Sequence, residues 1–133
     1  MDDRAGLHRL REIGLGTRHD DGSWTSRPLW IVDVDGEAYV RAAFGSRSQW
    51  LRSALDGAAL RVEAPWGITS VRLVPVTDGV LNDRVSEAYR AKYGPGWPGP
   101  VRLMTGAVAR STTMRIALST QSGSVADGSA DAG

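Results

Sequence analysis

Arginine and aromatic side chains, rather than nucleophiles or metal ligands, make up the reactive inventory of this chain. Its 133 residues include no cysteine, which removes thiolate catalysis, disulfides, iron–sulfur clusters and structural zinc fingers together. The two histidines, His8 and His19, fall at either end of one predicted strand, outside the HExxH or HxH spacing that presents two imidazoles to one metal. No GxSxG elbow accompanies them, so a serine triad has no nucleophile to build on. Asp33-Val34-Asp35-Gly36 has the outline of a calcium loop, but in that register the first ligand position is Ile31 and the twelfth is Ala42. Asp33 and Glu63 are available as a carboxylate pair, and nothing in the sequence recommends them for glycoside chemistry. No self-sufficient catalytic apparatus is present.

What remains is Arg18, Arg27, Arg41, Arg47 and Arg110 at strand ends or beside turns, with Trp30, Tyr39, Phe44, Trp50 and Trp66 near the same elements. A guanidinium beside a flat ring serves one of two ends. It forms a plain cation–π pair worth about 0.5–1 kcal/mol on a surface, or it hooks a phosphate beside a planar ligand. Phe44-Gly45-Ser46-Arg47-Ser48-Gln49-Trp50 sharpens the second reading. Ser46 with Gln49 three residues later is capping-box spacing, which predicts a helix beginning there. A strand running through Gly45 into a helix N-terminus leaves unpaired N–H groups beside Arg41 and Arg47, a combination that favours an anion, phosphate above all. Arg47 in a first helical turn opposes the dipole, which a bound anion offsets. The plain alternative is a solvated Arg47.

The elements that must position these groups are legible from Arg27 to Gly57. Leu29–Val34 and Ala38–Ala43 are apolar runs separated by Asp35-Gly36, the turn pair most typical of a two-residue hairpin. Counting outward sets Val34 opposite Glu37, Val32 opposite Tyr39 and Trp30 opposite Arg41. The other face collects Leu29, Ile31, Ala38, Val40 and Ala42, small or aliphatic residues suited to a filled barrel interior. In the helix that follows, Trp50, Leu51, Ala54 and Leu55 form the apolar stripe and Gly57 closes it.

The rest of the chain adds hairpins. His8–Arg18 reads as a strand with Ile13, Leu15 and Thr17 alternating, and Gly14 and Gly16 marking a kink or a close backbone approach. Asp20–Ser23 is turn chemistry, and a return strand starts at Trp24. Leu60–Ala64 and Ile68–Val76 form another pair around Pro65-Trp66-Gly67, with Pro75 pointing to an edge or a terminus. A second helix is predicted from an Asp78 N-cap to Tyr93, with Leu81, Val85, Ala88, Tyr89 and Lys92 at helical spacing. Gly94–Pro100 reads as a stiff connector that is neither helix nor central strand, or as a lid carrying Trp97. A helical turn near Met104 and a last strand over Arg110–Leu118 complete the set. The sum is a small antiparallel barrel of the α+β class with two or three helices. Residues 1–7 read as a flexible N-terminus, 8–118 as the barrel domain, and 119–133 as a low-complexity, disordered tail.

GTRHDDGSW, RPLWIVDVDGEAYVRAAFG and QWLRSAL together resemble an uncharacterised bacterial family, itself similar to the split β-barrel flavin- and deazaflavin-binding proteins. That group includes deazaflavin-dependent nitroreductases and pyridoxamine-phosphate-oxidase-like enzymes. The resemblance runs from about Ile13 to Leu118. Gly16-Thr17-Arg18-His19 stands where the group has a GRKSG-like phosphate segment, without its second lysine-type contact. Ala43, Phe44, Gly45, Ser46 and Arg47 stand at the phosphate-contacting loop, and Trp50 at the helix tryptophan. The resemblance implies a split barrel holding FMN or a deazaflavin coenzyme and exchanging hydride with an oxidised small molecule. In that reading Arg41, Arg47 and the Gly45–Ser46 amides hold the phosphate, with Thr17 and Arg18 near the same pole. Trp30, Phe44 or Trp66 borders the ring, and Tyr39 or Tyr93 serves as proton donor. Pairing into a homodimer with the ligand at the seam is implied as well. The competing reading is a non-catalytic barrel that binds a small ligand and has lost turnover.

Composition trims the remaining classes. A formal net charge of +1 gives no bulk electrostatic case for nucleic acid or an anionic membrane. The absence of a basic, apolar leader at Met1-Asp2-Asp3-Arg4 and of any long apolar run points to a soluble, cytoplasmic protein.

Overall fold

The computed structural model describes residues 12–118; the expected flexible N-terminus, the first residues of the first strand and the expected tail lie outside them. In chain order the elements are β1 (Glu12–Arg18), β2 (Trp24–Trp30), β3 (Val32–Val34), β4 (Glu37–Val40), a 3-10 turn (Gly45–Arg47), α1 (Gln49–Leu55), β5 (Leu60–Ala64), β6 (Gly67–Pro75), α2 (Gly79–Tyr93), α3 (Pro98–Met104), α4 (Ala107–Arg110) and β7 (Met114–Leu118). The seven strands form one antiparallel sheet in the order β2-β1-β5-β6-β7-β4-β3. Its two edge strands are consecutive in sequence, separated only by Ile31. One extended segment therefore pairs with β1 in its first half and with β4 in its second. That continuity curls the sheet on itself into a split α+β barrel.

The hairpin at Asp35-Gly36 sets the register. Both residues take positive φ, 55° and 84°, and Val34 pairs with Glu37 and Val32 with Tyr39. Alternation along the hairpin then feeds two cores. Leu29, Ile31, Ala38, Val40 and Ala42 enter the barrel interior with Ile13, Leu15, Val62 and Ile116. Val32, Val34 and Tyr39 face outward into a second core under α2 and α3, with Val85, Tyr89 and Tyr93. Arg84 clamps Asp35 through two hydrogen bonds of 2.7 and 2.8 Å, fastening the turn to α2. Gly16 has the close approach expected of it, since a Cβ there would sit 2.9 Å from Arg61 Cγ and from Glu63 Oε2 on the neighbouring strand.

Four local expectations are corrected. The helix expected from Ser46 begins at Gln49, because Gly45–Arg47 winds into a 3-10 turn and Ser48 takes the extended N-cap conformation. Leu55 lies outside the buried stripe and is exposed, while Trp50 and Leu51 are buried. Pro98-Gly99-Pro100 opens α3 instead of remaining a connector. First-turn N–H groups have no intrahelical partner, so proline costs nothing there and its fixed φ suits the turn. The strand expected from Arg110 begins only at Met114, since Ala107–Arg110 forms a helical turn.

Candidate functional site

The switch of partner at Ile31 leaves one peptide outside the sheet ladder, and α2 satisfies it. The Ile31 N–H donates to the Tyr93 hydroxyl (3.1 Å), and that hydroxyl donates to Ile31 O (2.8 Å), which also accepts from Lys92 Nζ (2.6 Å). Burial pulls the Lys92 ammonium down to about 8, with Asp33 opposing the shift. Next along the strand, the Tyr89 hydroxyl donates to Trp30 O (3.2 Å). Trp30 lies flat on Tyr93, ring centroids 4.1 Å apart and planes within 4°, and meets Trp97 at 5.9 Å. The Trp30 indole is thus held as a fixed wall.

Arg41 goes elsewhere. Its side chain is 1% exposed, and every N–H is used on a neutral acceptor. Nε donates to Thr113 Oγ1 (2.8 Å), Nη1 to Ser86 Oγ (2.9 Å) and Met104 O (3.0 Å), and Nη2 to Asn82 O (2.9 Å) and Asn82 Oδ1 (3.5 Å). The guanidinium carbon stands 5.6 Å from the Tyr89 ring centroid. The expected pairing of Arg41 with Trp30 does not form; each of the two stacks on a different tyrosine of α2. Burial draws Arg41 down to about 10, so it remains a cation at neutral pH. In the opposite sense, burial pushes the Tyr89 phenol well above its ordinary range.

Between the hairpin, α1 and α3 lies a chamber of about 430 Å³, walled by Trp30, Phe44, Trp50, Leu103 and Met104, with Arg41 at its inner side and Arg27 at its margin. A small recess of about 30 Å³ adjoins it, lined by Thr17, His19, Thr25, Gln49 and Ser53. Arg27 and Trp50 line both spaces, so an apolar chamber and a polar recess lie side by side across these two side chains. Among the described residues no carboxylate lines either. Among the described residues the Arg27 guanidinium has neither a hydrogen-bond nor an ion-pair partner. A flat ring between aromatic walls with an anionic tail on an unspent guanidinium is the occupant this combination suits.

The residues expected from sequence are divided by this geometry. Trp30, Arg41, Phe44 and Trp50 line the chamber, and Thr17 lines the recess. Arg18 is elsewhere, on a separate cavity beyond α1. Ser46 and Arg47 are exposed on the 3-10 turn and line neither space. Gly45 is buried with φ 65°, and a Cβ there would lie 2.7 Å from Val108 Cγ1. Gly45→Ala is therefore expected to cost about 1–2 kcal/mol from backbone handedness, and to loosen the turn behind Phe44. A urea midpoint unchanged from wild type contradicts this. Trp66 is at the exposed tip of the β5–β6 turn and does not border the chamber. Tyr39 is buried in the second core with its pKa raised by burial, and the Tyr93 hydroxyl is bound to Ile31.

Sequence reasoning did not single out His19, Thr25, Gln49, Leu103 or Met104. His19 and Thr25 flank one hairpin turn and bond to each other through Nε2 and Oγ1 (2.5 Å), which the turn chemistry at Asp20–Ser23 could have indicated. Leu103 carried no signal and Met104 only that of a helical turn, because a helix starting at Pro98 inside the expected connector was not foreseen.

A family model described as "Uncharacterized protein conserved in bacteria (DUF2255)" matches residues 5–116. No curated protein matches the chain. Among solved structures it is similar to ChuZ of Campylobacter jejuni, with 10% identity and a TM-score of 0.61, covering 84% of this chain and 48% of that one. The chain thus spans about half of ChuZ. It is similar to an FAD and heme binding protein of Mycobacterium smegmatis, with 15% identity and a TM-score of 0.54, over 86% of this chain and 63% of that one. It is similar to an F420 reductase, with 13% identity and a TM-score of 0.53, over 89% and 94%. At these identities the likeness is one of fold.

Proposed function

The chain belongs to this DUF2255 bacterial family, and from that premise we propose that its split barrel binds a flavin-type cofactor, FMN or a deazaflavin coenzyme, in the chamber under α3. The observation that carries the reading is an aromatic-walled chamber that shares Arg27, unpaired among the described residues, with a neighbouring polar recess. Trp30, fixed on Tyr93, and Phe44 and Met104 border the ring, while Arg27, His19 and Thr17 receive the anionic tail. When bound, such a group supplies hydride transfer to or from a small molecule, chemistry that no side chain here possesses. The protein's share is to orient the ring and exclude water. The names of the M. smegmatis and F420 reductase neighbours support a cofactor of this class. Exposed Phe44, Leu103 and Val108 make an apolar rim suited to a second copy of the chain, so the working form is a homodimer. Among the described residues no helix is long and apolar enough to cross a membrane.

A second reading is a barrel that binds without turnover. What favours it is the absence of a disposable proton donor along the chamber, given that Tyr93 is occupied by Ile31. Titration of the purified protein with FMN and with F420, followed by ligand fluorescence, tests both. Saturable quenching with acceptor reduction supports the oxidoreductase, and saturable quenching alone supports the binding module. Fluorescence that stays that of free ligand rejects the proposal.

A further inference from the structure

Arg41 lines the chamber and is 1% exposed, yet it faces no negative charge. Buried cations are ordinarily matched by a carboxylate. Here the N–H groups are all taken by neutral oxygens of Thr113, Ser86, Met104 and Asn82, and the ring at 5.6 Å is the Tyr89 phenol. Among the described residues no acidic side chain forms an ion pair with it. The nearby charges compensate nothing, since Arg90 and Arg110 are further cations, paired in turn with Glu87 and Asp83. Among the described residues the other charged side chain along the chamber is Arg27, and the neighbouring recess adds His19.

A guanidinium in this state acts through its field and not by contact. With no N–H to spare, it has no fork to offer a phosphate or a carboxylate. Its charge is undiminished, and the apolar walls of Trp30, Trp50 and Met104 screen it poorly. Nη1 bonds the carbonyl of Met104, so the charge is set directly behind one of those walls. A localised anion is better served at Arg27, which has donors to give. A charge spread over a flat ring needs no donor and gains from the field alone. The walls by themselves push the other way, because desolvation favours the neutral form of an acidic ring. We propose that the chamber selects the anionic form of a planar, acidic heteroaromatic ring, with Arg41 as the countercharge that sets this specificity. This selectivity rests on the flavin reading and narrows the ligand to rings that delocalise a negative charge.

The test is a spectrophotometric pH titration of 8-hydroxy-5-deazariboflavin, free and bound to the full chain. Its ring hydroxyl ionises with a change of absorbance, and it lacks the phosphate that would engage Arg27. Bound, it is expected to ionise at a pH at least about one unit below that of the free ligand, a gain of about tenfold in the anion. Arg41→Lys keeps the charge and should keep most of the lowering, whereas Arg41→Gln should abolish it. Arg27→Ala, altered at an exposed residue, should leave it in place, which identifies the source of the field even if the Arg41 variants fail to fold. Ionisation of the bound ring at or above the free value overturns the proposal. So does a lowering that is lost in Arg27→Ala or retained in Arg41→Gln. A hydroxylated ring that does not bind overturns it too, and the flavin reading falls only when FMN is left free as well.

Discussion

Replacing Arg41 by alanine is expected to lower the unfolding free energy by about 3–5 kcal/mol, the range for removing one partner from a buried polar or ionic arrangement. The physical reason is that Arg41 ties three separate segments to its own strand. Thr113 precedes β7, Ser86 and Asn82 belong to α2, and Met104 ends α3, and all supply acceptors to one guanidinium. Truncation leaves those oxygens without their donor and opens space between α2 and the hairpin. Arg41→Lys keeps the charge and loses the planar fork, so it should recover only part of the loss. Equilibrium urea denaturation measures this, and a loss below about 1 kcal/mol, the ordinary worth of one hydrogen bond, would show that Arg41 is not the tie described.

Tyr93→Phe is expected to cost about 1–3 kcal/mol, the penalty for a buried amide left without an acceptor. The ring stays, and with it the stack on Trp30, so packing changes little. Only the hydroxyl that closes the Ile31 peptide is lost. Amide exchange distinguishes this from a general weakening: protection should fall first at Ile31 and its neighbours, where the strand changes partner. Uniform loss of protection across the sheet would contradict the assignment.

The parts of the fold that were legible in sequence are those set by local physics. Asp35-Gly36 permits positive φ at two successive positions, and alternation through Leu29–Ala42 sorts residues between two cores without knowledge of either. The Asp78 N-cap likewise announces α2, its carboxylate accepting from the Val80 N–H. What was not legible depends on distant partners. Asn82, Ser86, Thr112 and Thr113 look like surface residues by type and are buried. The first two and Thr113 serve Arg41, while Thr112 accepts from the Ala42 N–H (2.8 Å). A buried arginine reverses the expected polarity of everything that packs on it, and nothing in the run of letters marks Arg41 as buried. The same holds at the candidate site, where Arg27 and Trp30 of β2, Trp50 of α1 and Met104 of α3 come from three separate elements and meet only in the folded barrel. Their types suggested arginine and aromatic chemistry; which arginine is unspent depended on the packing.

The central claim is that Arg27 receives the anionic tail of a flavin-type ligand whose ring occupies the adjoining chamber. Affinities of FMN and riboflavin, which differ by the phosphate alone, measured for the wild type and for Arg27→Ala, test it most directly. The account predicts that the wild type prefers FMN by about tenfold or more, the scale of a charge-assisted contact. In Arg27→Ala the preference should vanish while riboflavin binding is preserved. A wild type indifferent to the phosphate, or a variant that keeps the full preference, would contradict it.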